Sequence, residues 1–209
     1  MNNVFFKPRV GSEYDSGGMF GKKILVVGES HYCGNEVCGE CGNPENAGEC
    51  ADFTTDTVNS YLAGNDTCGR WTSTFRKFER SMVGHETSPG ESARIWDSIA
   101  FYNYLQRAMD APRQVCSAEE FADAEQAFWE VMEALQPDVM IAWGVTRMYD
   151  NMPGGDAWQR AEDIVVDGYH VRNGWYTLRS GKRVRAIWVY HPSSGYSWSW
   201  WNKVIEKVL

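Results

Sequence analysis

The sequence predicts one α/β domain spanning residues 1–209, with a doubly wound, mostly parallel sheet and helices on both faces, a three-layer α/β/α arrangement. Three observations carry this. Short apolar runs, ILVV at 24–27, VMIAW at 139–143 and VRAIWVY at 184–190, have the length and β-branched content of strands buried on both faces. Amphipathic stretches with helical spacing alternate with them. No internal repeat or linker divides the chain.

Taken in order, residues 1–21 hold several glycines and few apolar residues after Val10, which predicts an irregular arm pinned by Phe5 and Phe6. Ile24–Val27 is the first strand and stops at Gly28. Residues 33–69 are rich in Gly, Asn, Asp, Thr and Cys, which predicts a long loop with a short helix near Thr57–Leu62. Trp71, Phe75, Phe78 and Met82 form one stripe, so 71–82 is a helix. Ser88-Pro89-Gly90 reads as a turn, and a second strand is placed near Ser98–Tyr102, ending at Asn103. Ser117 is a good N-cap, with Glu119 and Glu120 in the first turn of a helix over Ala118–Leu135. Val139–Trp143 is the third strand and stops at Gly144. Val145–Tyr149 starts a helix. Ile164–Val166, Tyr176–Leu178 and Val184–Tyr190 read as strands, the last two joined by a turn at Ser180-Gly181. Trp198–Leu209 closes the chain as a helix.

Composition narrows the class. The chain is 43% hydrophobic and 23% charged, which suits a folded globular domain and not a disordered one. No apolar run approaches the roughly 20 residues of a membrane span, and MNNVFFKPRV lacks a signal-peptide core. A cytoplasmic monomer without membrane attachment is the expectation. The net charge of −8 argues against indiscriminate nucleic-acid binding, although it leaves room for a local basic groove. Basic residues cluster at Arg76, Lys77 and Arg80, and at Arg179, Lys182, Arg183 and Arg185; such clusters are commonly solvated faces.

The chemistry concentrates at strand ends. The first strand delivers Gly28-Glu29-Ser30-His31-Tyr32, the second Asn103, the third Gly144 and the last His191-Pro192-Ser193-Ser194-Gly195. In a parallel sheet these ends share one edge, so the groups converge on one crevice. A carboxylate can manage an oxocarbenium-like sugar during glycosidic cleavage. A histidine can stabilise a departing anion, and an Asn amide can pair with a base edge. Plainer roles stand beside these. Glu29 could be a helix-cap acid or a salt-bridge partner, His191 a satisfied core residue, Asn103 a turn residue, and Ser193 to Gly195 a helix start. His31 is open between catalytic, metal-binding and structural roles.

These motifs, GESHY at 28–32, Asn103 and HPSSG at 191–195, resemble those of the uracil-DNA glycosylase superfamily. The resemblance covers most of 23–209 in order, but only about twenty residues carry it. It implies excision of uracil or a related modified base from DNA by hydrolysis of the N-glycosidic bond, after the base has left the stack; a catalytically inactive DNA- or protein-binding module on the same fold and an enzyme acting on nucleosides or nucleotides are the alternatives. It implies that Glu29 orients water or stabilises positive charge on the sugar and that His191 stabilises the leaving base. It further implies that Tyr32 walls the base pocket and Asn103 reads the base edge; Phe53 or Trp71 is a candidate to stack on the base. Ser193 and Ser194 sit where the family grips DNA phosphates, Ser30 is a candidate DNA contact, and Gly195 and Tyr196 lie in a loop that can wedge into the duplex. Ser30 and His31 depart from the pattern: the family carries Asp or a small residue at the first position and Pro at the second.

Cys33, Cys38, Cys41 and Cys50 supply four thiols in one loop, and Cys38-Gly-Glu-Cys41 has the spacing of a zinc knuckle. A structural zinc and free thiols both fit. An iron–sulfur cluster fits less well, because the cysteine pair that such members of the resembling family carry before the first motif is absent. No organic cofactor is expected.

Overall fold

The computed structural model describes residues 1–33, 50–64, 71–109 and 114–209. The fold is mixed α/β, organised on a seven-stranded sheet of order β1-β3-β2-β4-β9-β8-β5. The strands are β1 (Arg9–Val10), β2 (Ile24–Gly28), β3 (Ile99–Asn103), β4 (Val139–Trp143), β5 (Trp158–Arg160), β8 (Asn173–Thr177) and β9 (Arg183–Val189). Strands β3, β2, β4 and β9 run parallel to their neighbours, while β1, β8 and β5 pair antiparallel at the flanks. A separate hairpin joins β6 (Ile164–Val166) to β7 (Tyr169–Val171).

Every residue of β2, β3 and β4 is buried, as their unbroken apolar runs require. Side chains alternate between two apolar clusters. Leu25 and Val27 join one with Phe121, Phe128, Val131 and Met132. Those four come from helices α4 (Ala118–Asp123) and α5 (Glu125–Leu135). Ile24 and Val26 join the other with Phe75, Phe78, Trp96, Trp201 and Val204. These come from α2 (Thr72–Val83), α3 (Pro89–Ser98) and α7 (Trp198–Ile205). Helix α1 (Phe53–Leu62) lies within the Cys-rich stretch, and the five-residue α6 (Arg147–Asn151) follows β4.

Several elements differ from the sequence reading for identifiable reasons. Ser88-Pro89 does not close a turn but opens α3: the Ser88 hydroxyl accepts from the Glu91 N–H at 3.3 Å, and Pro89 takes the first helical position. The expected Ala118–Leu135 helix is two, broken at Ala124, and Ser117 with Glu120 forms a reciprocal capping box at its start. The β6–β7 hairpin turns on Asp167-Gly168, both with positive φ (49° and 80°), a pair suited to a primed two-residue turn. Gly144 has φ 149°, and a Cβ there would come within 2.8 Å of the Met148 side chain, so the chain can leave β4 tightly only at glycine.

One buried charge ties the second cluster together. Glu79 is fully buried, and its carboxylate accepts from Trp96 Nε1 (2.7 Å), Ser92 Oγ (2.5 Å) and Thr87 Oγ1 (2.9 Å). Removing it strands two buried donors in an apolar surround. Glu79→Ala is expected to cost about 3 kcal/mol or more of unfolding free energy. Urea denaturation measures this, and a loss below about 1 kcal/mol would contradict the role assigned to these hydrogen bonds.

Candidate functional site

The carboxyl ends of the parallel strands are tied together beyond the strands themselves. Gly28 stands opposite Asn103 in the β2–β3 register. The ladder then continues through Tyr104 N–H to the Gly28 carbonyl (2.9 Å), Leu105 N–H to that of Glu29 (2.9 Å) and Met109 N–H to that of His31 (2.7 Å). The loop GESHY is therefore held by backbone bonds and not left to solvent.

Glu29 is mostly buried, with its side chain 13% exposed. Both carboxylate oxygens accept from Arg147: Nε reaches Oε2 at 3.0 Å, and Nη2 bonds Oε1. This is a two-pronged guanidinium–carboxylate pair, which fixes the plane of the carboxylate as well as its position. The Cys116 thiol lies 3.7 Å from the same Oε1 and can donate to it. Burial, then the Glu29 charge, raises that thiol to about 11, so it stays protonated at neutral pH.

His191 follows β9. Its Nδ1 receives the Ser193 backbone N–H at 3.2 Å and lies 2.7 Å from the Ser193 hydroxyl. An N–H can only donate, so Nδ1 is the bare nitrogen and the ring proton sits on Nε2. The side chain as a whole is exposed, yet its ring packs edge-on against Trp143 at 5.7 Å. Desolvation first, and then the Arg147 charge, push the imidazole down to about 4. Both effects act in the same direction and keep His191 neutral at pH 7. Arg147 thus acts on both sequence-predicted catalytic groups.

Asn103 and His31 form a second polar group. Asn103 is 6% exposed and His31 5%. Asn103 Nδ2 lies 3.1 Å from the His31 ring nitrogens, and His31 Nε2 lies 2.9 Å from Thr54 Oγ1. Donor logic gives Nε2–H to Thr54 and the Asn103 amide to Nδ1. Phe53 stacks on the ring at 4.7 Å and Phe6 meets it edge-on at 4.7 Å. Burial pushes His31 down to about 3. Of the three roles open for His31 in the sequence, this environment is structural.

The remaining expected residues scatter. Tyr32 is 46% exposed and bridges Met109 through its backbone. Ser30 is half-buried; Ser193, Ser194 and Gly195 are exposed in a turn closed by Ser194 N–H to the His191 carbonyl at 3.0 Å. Those three residues precede the last helix, which starts at Trp198, and do not cap it. Tyr196 is 7% exposed, stacks on Trp201 and bonds Ser81 Oγ at 2.7 Å, so its side chain is core and not a surface wedge. Cys38 and Cys41 lie outside the described residues. Cys33 and Cys50 are both half-buried. Among the described residues no group of three or more metal-ligating side chains is assembled.

The sequence reading missed Arg147, Cys116 and Thr54. Arg147 had a signal: it is a basic residue just past the third strand end, where the other three strands carry their polar groups. Cys116 and Thr54 had none, since their contacts to Glu29 and His31 are purely tertiary. Among the described residues, Arg107 pairs with Glu120 at 2.6 Å and Arg172 with Asp150 at 3.9 Å. Two surface depressions, one lined by Val165, Asp167 and Lys203 and the other by Arg160, Asp163 and His170, contain none of these groups.

His31 makes stability depend on pH. Its folded pKa lies below the unfolded value of about 6.5, so only the unfolded chain takes up the proton as pH falls. The stabilisation is complete above about pH 6.5 and is lost progressively toward pH 3. Unfolding free energy is expected to drop by roughly 2 kcal/mol between pH 7 and pH 5 from this residue. His31→Gln should flatten that dependence in urea denaturation series at the two pH values, and an unchanged slope would refute it.

No protein-family model matches this chain, and no curated protein matches it.

Proposed function

We propose that this chain is a DNA N-glycosylase that flips out and excises uracil or a related modified base. The observation that carries the reading is the pairing, at one sheet edge, of an oriented carboxylate with a neutral histidine of defined tautomer. Cleavage of the N-glycosidic bond leaves an oxocarbenium-like sugar and an anionic base. Water adds to the sugar carbon, its proton is lost, and the bonding pair departs with the base. Glu29 stands as the carboxylate for the cationic sugar and its water. His191 Nε2–H donates to the oxygen on which the base's negative charge gathers, and a neutral imidazole does this without surrendering a proton.

Asn103 supplies the base-reading amide, with its Nδ2 orientation set by His31. Tyr32 and Phe53 stand as the pocket's aromatic groups, and Ser30, Ser193, Ser194 and Gly195 as contacts to the phosphate backbone. The two apolar clusters on alternate residues of β2 support a three-layer α/β/α arrangement. We read the protein as a cytoplasmic monomer acting on DNA; among the described residues no helix is long and apolar enough to cross a membrane. A structural zinc held by Cys33, Cys38, Cys41 and Cys50 remains part of the proposal.

A second reading has one specific support. Both oxygens of Glu29 are engaged by Arg147, which suits a binding module on the same fold that has lost catalysis. Incubation with oligonucleotides carrying a panel of modified bases, then alkaline cleavage, separates the two. Abasic product is expected; binding with no product from any base would favour the second reading. Glu29→Gln and His191→Ala should each lower excision about 100-fold or more, and unchanged rates would refute their roles.

Arg147 gives a further test. Arg147→Met removes a cation beside His191, so the imidazole should protonate at higher pH than in the parent, while Arg147→Lys should stay close to the parent. An NMR titration of the His191 ring reads this directly, and identical titrations in all three proteins would overturn the coupling.

A further inference from the structure

The second basic cluster of the sequence, Arg179 to Arg185, is split by the fold. Lys182 pairs with Asp138 at 2.8 Å, and the Arg179 backbone N–H bonds Glu133 at 2.6 Å. Arg183 and Arg185 are different. They sit two residues apart on β9, so they share a face of the sheet. Trp175 on β8 is registered opposite Arg185. Its ring lies 4.6 Å from the Arg183 guanidinium carbon and 4.7 Å from that of Arg185.

Both guanidiniums have neutral partners, Arg183 with Gln159 Oε1 at 2.9 Å and Arg185 with Asn173 Oδ1. Among the described residues, no carboxylate lies within ion-pair distance of either. Arg76, Arg94 and Arg179 are also outside the ion pairs found among the described residues, so what sets Arg183 and Arg185 apart is that both guanidiniums lie over one indole ring. Burial, and then the charge of Arg183, lower the Arg185 pKa. Two cations are thus held together against their own repulsion in a chain of net charge −8. Such an arrangement is unfavourable in isolation and is relieved by an anion.

We propose that Arg183, Trp175 and Arg185 form a nucleic-acid contact surface that takes the phosphodiester backbone of a single strand, with a base stacked on the exposed Arg183 guanidinium. Planar guanidiniums fit phosphate in two-pronged fashion and stack on bases. The indole restricts their rotamers and so lowers the ordering cost on binding. An acidic peptide would satisfy the charge but makes no use of the stacked planes. Arg185 precedes His191 by six residues along β9, about 20 Å of extended chain, so one strand can reach both. The partner class rests on the DNA reading above, but the surface is distinct from the candidate active edge.

The test uses the full-length protein and a fluorescein-labelled 20-mer single-stranded oligonucleotide, titrated by anisotropy across a salt series. The parent is expected to bind, with Arg183→Gln/Arg185→Gln weakening binding about tenfold and reducing the salt slope by about 1.4, two single-strand phosphate contacts. Arg183→Gln alone, at an exposed side chain, should lose half of that slope. No binding by the parent, or an Arg183→Gln slope equal to the parent's, overturns the proposal. So does equal competition by poly-glutamate of matched charge, which would indicate an acidic protein partner. If the parent excises no base yet shows the Arg183-dependent slope, the glycosylase reading falls and this surface stands.

Discussion

The close approach of Gly28 and Asn103 is the constraint on which the candidate site depends. A Cβ on Gly28 would lie 2.2 Å from Asn103 Oδ1, so no other residue fits under the amide as it stands. The parallel register sets this contact, because it places the last residue of β2 opposite the last residue of β3. With the amide laid over Gly28, its nitrogen reaches His31, and His31 reaches Thr54 on α1. One missing side chain therefore connects two strands and a helix. The backbone ladder beyond the strand ends holds Glu29 to the same scaffold.

Arg147 gives the site its electrostatic character. The same cation attracts a proton-free carboxylate and discourages a protonated imidazole, so Glu29 is kept paired and His191 neutral. On the proposed reading the two groups would meet opposite charges, Glu29 a developing cation and His191 a developing anion. The guanidinium on Glu29 would weaken the field of that carboxylate on a sugar.

Much of the central sheet was legible because its information is local. ILVVG, VMIAW and VRAIWV carry their burial in composition and their ends in Gly or His-Pro, and three strands fall within a residue or two of the expected bounds. The flanks were less legible because their pairing is not written in apolar content. Trp158–Arg160 is a strand with no buried residue, held by its ladder to β8. The break at Ala124 has neither Pro nor Gly to announce it. The site divides in the same way. Glu29, Asn103 and His191 stand at strand ends and could be named from position. Cys116 touches Glu29 across 87 residues of sequence, and Thr54 touches His31 from within the Cys-rich stretch. Tyr196 reads as a loop residue by its neighbours, yet its ring fills a space beside Trp201 that only the folded helix α7 creates.

The departure at Ser30-His31 now has a physical account. In the resembling motifs proline occupies the position of His31, and proline orders a loop by fixing φ and giving up its N–H. Here the backbone bonds at Gly28, Glu29 and His31 are joined by side-chain contacts. The imidazole is closed between Phe53 and Phe6, and its two nitrogens are spent on Asn103 and Thr54. The loop is held by burial instead of by a ring in the backbone. That solution has a consequence proline does not. A buried neutral histidine must exclude its proton to remain folded, so the ordering of Asn103 weakens in acid, whereas a proline-ordered loop would be indifferent to pH. The Asn103 amide is consequently best defined at neutral pH, where His191 is also neutral.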